Sequence, residues 1–138
     1  MPSRSQPFSL RLPAKTDALV REEARRTKRS KGAIVTALAE EALRCRRFPG
    51  IAFRGVDWQR RPWVIGTALD VWEIVRAYRD FGSVVRMVAE SDIEEHHVRI
   101  ALAYAKHHHA EVEEAISQND LSPAQARESF LSFDVLEV

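Results

Sequence analysis

Residues 8–13, Phe8-Ser9-Leu10-Arg11-Leu12-Pro13, alternate apolar and polar side chains and end in a proline where a helical pattern begins. That alternation is the period of a half-buried strand. A strand this short, with both backbone edges unpaired, is marginal unless a second strand completes it. No nearby segment has a matching period, so the expected partner is the same segment of a second copy. Two such strands, antiparallel across a twofold axis, would bury Phe8, Leu10 and Leu12 against helices and turn Ser9 and Arg11 outward. A ribbon of this kind fits the width of a DNA major groove.

The next residues supply the helices. Helix formers run from Ala14 to Arg26, with Ala18, Leu19 and Ala24 expected on one face. Thr27-Lys28-Arg29-Ser30 interrupts them, and Ser30 is a good N-cap for a second helix whose apolar positions are Ile34, Val35, Leu38, Ala39, Ala42 and Leu43. Strand, helix and helix over about 40 residues bury too little surface for a robust monomer. Ile34 and Leu38 are therefore expected to join Phe8, Leu10 and Leu12 in the interface of a homodimer or higher homo-oligomer.

Charge divides the chain. Residues 1–61 hold 15 Lys/Arg against 6 Asp/Glu, and residues 62–138 hold 6 against 14, giving halves of +9 and −8 within a net charge of +1. A basic front half is the footprint of a polyanion binder, whereas the acidic rear half is poorly suited to a second phosphate surface. The single cysteine, Cys45, rules out an intrachain disulfide and a cysteine-based zinc cluster, which fits a reducing cytoplasm. No apolar run is long enough to suggest a membrane span, so no membrane partner is expected.

The strand pattern of residues 8–13 and the Ser30-capped helix resemble the ribbon-helix-helix family of bacterial transcription factors and antitoxins, over about residues 6–45. The resemblance implies that outward strand residues read bases and that the start of the second helix grips phosphate. Those roles fall here on Ser9, Arg11, Ser30 and Lys31. The chemistry agrees, since arginine offers a bidentate fork to guanine, and the free N–H groups and positive dipole of a helix start suit a phosphate. The turn between the helices lacks the glycine often found in the family.

Residues 46–61 mix two glycines, one proline and five arginines with Ile51, Phe53 and Trp58, and are read as a linker or arm. From about residue 48 to 116 the chain resembles a second module found beside or within bacterial antitoxins. The resemblance lies in Phe48-Pro49-Gly50-Ile51, Arg61-Pro62-Trp63-Val64-Ile65-Gly66-Thr67 and Val98-Arg99-Ile100-Ala101-Leu102-Ala103-Tyr104, although Ala68 stands where family members commonly carry an arginine. The residues themselves predict a helix from Asp70 to about Arg79, a short one from about Val84 to Ala89 and a third from Ile93 to about Ile116. Asp70 and Ser83 are expected caps, and Gly82 permits a reversal. Three helices so arranged look like a helix-turn-helix core, built from Val71, Trp72, Ile74, Val75, Tyr78, Val84, Val85, Val88, Ile93, Val98, Leu102 and Tyr104. The Trp63-Val64-Ile65 segment would flank it as a strand or arm.

The tail from Ser117 to Val138 carries a helix-start pattern at Ser122-Pro123-Ala124-Gln125, then crowds Phe130, Leu131, Phe133 and Leu136 near its end. Such a segment needs a surface to cover. Arg127, Phe130, Leu131, Phe133 and Leu136 are read as its contacts to a partner protein.

Neither catalysis nor a cofactor is expected. His96-His97 and His107-His108-His109 suggest metal, but adjacent histidines on a helix are expected to point apart and to form a solvated polar face. Glu94, Glu95, Glu111, Glu113 and Glu114 come with no nucleophile, phosphate loop or metal motif. The expected architecture is mainly α: a ribbon-helix-helix domain at 1–45, a linker at 46–61, a helix-turn-helix-like domain at 62–116 and a partner-binding tail at 117–138. The resemblances imply a VapB-like antitoxin of a type II toxin-antitoxin pair. It would repress its own operon by binding operator DNA and neutralise a cognate toxin, a PIN-type ribonuclease. The alternative is a stand-alone dimeric repressor whose second domain dimerises or binds a small ligand.

Overall fold

The computed structural model describes residues 5–57 and 59–119, which divide into two compact units, Met1–Leu43 and Arg44–Val138. The fold is mainly helical, with one small antiparallel sheet. Among the described residues no helix is long and apolar enough to cross a membrane. The expected tail helix from Ser122 lies outside the described residues.

In the first unit α1 spans Ala14–Thr27 and α2 begins at Lys31, running on to Arg47. Pro13 fits the start of α1, where its fixed φ of −55° needs no N–H donor and its carbonyl accepts from the Asp17 N–H at 2.8 Å. The buried face of α1 is Val20, Ala24 and Thr27, at helical spacing, and not the expected Ala18 and Leu19. Leu12 and Ile34 pack beside Val20 and Ala24 and so set the rotation of α1, which turns Leu19 to solvent. Thr27 satisfies its hydroxyl on the Glu23 carbonyl at 2.8 Å. The turn between the helices places Lys28 in the left-handed region (φ 56°, ψ 40°), a conformation that usually calls for glycine. From α2 only Ile34 is buried.

Residues 8–12 form neither a helix nor a strand pairing in the single chain. Phe8 is 84% exposed and Leu10 61%, while Leu12 is half-buried against the cluster of Val20, Ala24 and Ile34. Among the described residues of the single chain the expected strand is not formed, and no segment pairs with it.

The second unit corrects the reading of residues 46–61 as a linker. Ile51–Arg54 form β1 and Arg61–Val64 form β2, paired antiparallel with Ile51 opposite Val64 and Arg54 opposite Arg61. Phe48 and Ile51 are buried in the main core, so this stretch belongs to the domain that follows it. Gly55 opens the connecting loop at φ 114°, where a Cβ would lie 2.2 Å from the Gln59 carbonyl oxygen, so only glycine fits. Arg60 braces the same loop by donating to the carbonyls of Gly55 and Phe53 at 3.0 and 3.1 Å.

Four helices follow: α3 (Val71–Phe81), α4 (Val84–Glu90), α5 (Glu95–His107) and α6 (His109–Asn119). The single long helix expected from Ile93 to Ile116 is broken at His108, whose φ of −125° and ψ of 45° are not helical. Its ring stacks near Tyr104 at 4.6 Å, and the break lets α6 turn back to pack on α3 with Val112 buried. Val64, Val71, Ile74, Met87, Val98 and Tyr104 are the largest of the fully buried side chains among the described residues. Val85, expected in the core, is 81% exposed, because Val84, Met87 and Val88 form the inward face of α4 at positions three and four apart.

Asp70 ties the hairpin to the helices. It is nearly fully buried and receives Arg54 Nε at 2.9 Å and Arg61 Nε at 2.7 Å, one arginine from each strand. Glu73 reaches back to accept from the Asp70 N–H at 3.0 Å, closing the first turn of α3. Arg54 also lies over the Trp63 ring at 5.1 Å. Replacing Asp70 by alanine is expected to cost about 2–3 kcal/mol, less than for a fully buried pair because both arginines can return to water. Chemical denaturation of the variant checks this; an unchanged midpoint would remove the anchor from the account.

Candidate nucleic-acid interface

The residues expected to meet DNA sit on the surface of the first unit. Ser9, Arg11, Ser30 and Lys31 are all exposed. Arg11, Lys15, Lys28 and Arg29 are ion-paired with none of the described carboxylates, whereas Arg25 is held by Glu22 at 2.7 Å and Arg26 by Glu23. Four cations of the unit are thus available to a polyanion.

The start of α2 is built for an anion. Ser30 caps it by accepting from the Ala33 N–H at 3.1 Å, and the Ile34 N–H donates to the Ser30 carbonyl at 3.1 Å. The N–H groups of Lys31 and Gly32 remain to face outward. Helices α1, α3, α5 and α6 each carry an acidic residue in the first turn; α2 and the short α4 carry none. The α2 dipole is left for an external anion to neutralise.

One participant is absent from the sequence reading. Asp17 forms an ion pair with Lys31 and another with Arg21 at 2.8 Å. The hydrogen bond from Lys31 is the main reason that the Asp17 carboxyl is held below its ordinary value of 3.8. A depressed carboxylate pKa means the contact is fully present above 3.8 and is lost as pH falls through the lower folded value. The Asp17–Arg21 spacing of four is legible on a helix, but the Asp17–Lys31 contact crosses the turn and no local period announces it. A cleft of about 450 Å³ lined by Leu10, Arg11, Leu12, Lys31 and Val35 lies beside this pair.

The proposed interface residues divide. Leu12 and Ile34 face the unit's own small core, while Phe8, Leu10 and Leu38 (52% exposed) remain uncovered. Arg127, Phe130, Leu131, Phe133 and Leu136, the expected partner-binding residues, lie outside the described residues.

In the second unit Arg46, Arg47 and Lys106 are exposed and paired with none of the described carboxylates, while its other described arginines are engaged internally. Arg79 pairs with Glu113, Arg86 with Glu90 at 3.3 Å and Arg99 with Glu95 at 2.6 Å, and Arg76 donates to the Asn119 carbonyl at 3.3 Å. The Glu113 hydrogen bond raises Arg79 and is matched by a lowered Glu113, as a formed ion pair requires. Arg44 donates to Tyr104 Oη at 2.8 Å and to Glu111 at 2.6 Å. Burial, and then the nearby Glu111 carboxylate, push the Tyr104 hydroxyl up to about 12, so it stays protonated at neutral pH. These arrangements tie α2, α3, α5 and α6 of the domain to one another.

The histidines also divide. His107 approaches the Ala103 carbonyl at 3.1 Å and lies edge-on to Phe48, as does the half-buried His108, which also stacks near Tyr104; His109 lies 3.5 Å from Glu113. His96 and His97 do not point apart: their ring centroids are 3.9 Å from one another, because the start of α5 holds both beside Glu94.

No family model, curated protein or solved structure matches the chain.

Replacing Asp17 by asparagine frees Lys31 and Arg21. The variant is expected to bind duplex DNA several-fold more tightly at low salt, with a salt-dependence slope steeper by about 1 for each additional phosphate neutralised. A slope identical to the parent's, measured by fluorescence anisotropy across a salt series, would remove Lys31 from the phosphate-binding surface.

Proposed function

We propose that this protein is a dimeric DNA-binding repressor of the ribbon-helix-helix kind that also acts as the antitoxin of a type II toxin-antitoxin pair. The observation that carries the first part is the first unit's surface. Phe8, Leu10 and Leu38 lie exposed around a core of only Val20, Ala24 and Ile34, in the same unit as unpaired Arg11 and the capped, acid-free start of α2. A second copy, its residues 8–12 paired antiparallel with these, would cover the apolar side chains and present Ser9 and Arg11 from both strands on one face. Arg11 would then read a guanine edge in the major groove while Ser30 and Lys31 hold the flanking phosphates. A twofold protein of this kind calls for a pseudo-palindromic operator.

The antitoxin part rests on the resemblance of residues 48–116 and on the opposite charge of the two halves. In this reading the acidic half has no phosphate surface, its described arginines Arg76, Arg79, Arg86 and Arg99 being occupied internally, and the apolar tail contacts the toxin, a PIN-type ribonuclease. Arg127 would meet the acidic nuclease site, and Phe130, Leu131, Phe133 and Leu136 would anchor in a groove. The protein itself catalyses nothing and acts in the cytoplasm.

A second reading is favoured by one feature of the second unit. A cleft of about 570 Å³ is lined by residues including Arg60, Trp72, Glu111 and Gln118. Its mixture of aromatic and polar groups suits a small ligand, as a stand-alone repressor with a ligand-binding domain would require.

Two experiments separate these parts. Arg11→Ala is expected to cost about 1–3 kcal/mol on operator DNA and to relax base preference, while Lys31→Ala weakens all sequences alike. Equal losses on operator and random DNA for Arg11→Ala would undo the base-reading role. Deleting residues 120–138 is expected to abolish rescue of growth from the co-expressed neighbouring toxin while DNA binding persists; full rescue by the truncated chain would contradict the assignment of the tail.

A further inference from the structure

The start of α5 gathers three side chains that can ligate a metal. Glu94 precedes the helix with extended backbone (φ −86°, ψ 152°), and His96 and His97 follow in its first turn. One ligand atom from each lies within 4.8 Å of the other two. Glu94 Oε2 is 3.2 Å from His96 Nδ1, and the two imidazole centroids are 3.9 Å apart with their planes tilted by 44°.

His97 stands out among these. Its Nδ1 is buried and has no hydrogen-bond partner. Buried polar atoms are nearly always paired, and an unpaired imidazole nitrogen is also a metal ligand. The ring is seated by backbone: Gly66 has φ 92°, and a Cβ there would come within 2.9 Å of His97 Nε2. The chain thus spends a glycine in a turn where the main chain approaches this imidazole closely.

We propose that Glu94, His96 and His97 form a binding site for a divalent transition-metal ion of the zinc class, with water completing its coordination. Two imidazoles and a carboxylate are an N₂O set suited to Zn²⁺, Co²⁺ or Ni²⁺, whereas Mg²⁺ and Ca²⁺ prefer oxygen alone. Bonds of about 2.0–2.1 Å in a tetrahedron put ligand atoms roughly 3.3 Å from one another. The present separations therefore close by rotation of Glu94 and His96, which are both exposed and free to turn. The positive end of the α5 dipole opposes a cation, and Glu95, next in sequence to Glu94, is engaged by Arg99 at 2.6 Å. The site is accordingly of modest affinity and open to solvent. Its occupation would fix the first turn of α5 against the Gly66 turn. His107, His108 and His109 provide no comparable set.

Titration of the full chain with Co²⁺, and with Zn²⁺ in competition with a chromophoric chelator, tests the site. One equivalent is expected to bind and to raise the melting temperature. Glu94→Gln and His96→Gln alter exposed side chains, so each is expected to leave the circular dichroism spectrum unchanged. Each is also expected to weaken binding by at least the roughly 10–100-fold that loss of a supporting partner costs. His107→Gln combined with His109→Gln is expected to leave binding intact. The proposal is overturned if no stoichiometric binding occurs, if binding survives both Glu94→Gln and His96→Gln, or if it is lost instead with the His107/His109 variant.

Discussion

Phe8 and Leu10 cannot be buried by the unit that carries them. That unit's core consists of Val20, Ala24 and Ile34, with Leu12 and Val35 at its edge, while Phe8, Leu10, Leu19, Leu38 and Leu43 stand largely in solvent. Exposed apolar surface and unpaired backbone are two costs with one remedy, since a second strand with its own helices removes both. Much else in the proposed function depends on this. Arg11 is held outward only if Leu10 and Leu12 are held inward, because successive strand side chains point to opposite faces. In the proposed dimer the reading head would be made of one strand from each chain.

The second unit solves its own packing problem. Its hairpin is fastened by Arg54 and Arg61 on the buried Asp70, its last two helices by Arg44 on Tyr104 and Glu111, and its apolar core runs from Phe48 to Val112. Arginines that average charge would count as a basic patch are consumed by local carboxylates. Arg11, Lys15, Lys28 and Arg29 of the first unit, and Arg46, Arg47 and Lys106 of the second, are paired with none of the described carboxylates. Asp17 moderates the charge of the first unit by holding Lys31, so a phosphate must displace a carboxylate to reach it.

Local signals carried much of the fold. Pro13, Ser30, Asp70, Ser83 and Gly82 mark helix boundaries through chemistry that acts over three or four residues, and the structure places boundaries at each. What depends on distant neighbours was not legible. The rotation of α1, which buries Val20 and exposes Leu19, follows from Ile34 packing on it. The pairing of β1, which lies in the segment read as a linker, with β2 at Arg61–Val64 has its register set by Asp70 and by the glycine-only turn at 55. The break at His108 requires Tyr104 and Phe48 as stacking partners, which no helical period reveals. At the candidate interface the exposed residues were legible from alternation and capping. Asp17 was not, since its contact with Lys31 spans fourteen positions.

Sedimentation equilibrium of the full chain over a range of concentrations tests the central claim most directly. The account predicts twice the chain mass, with a shift to monomer when Leu10 is replaced by a charged residue. A monomer at every concentration would contradict it, because Phe8 and Leu10 would then remain in water and no ribbon would exist to read DNA.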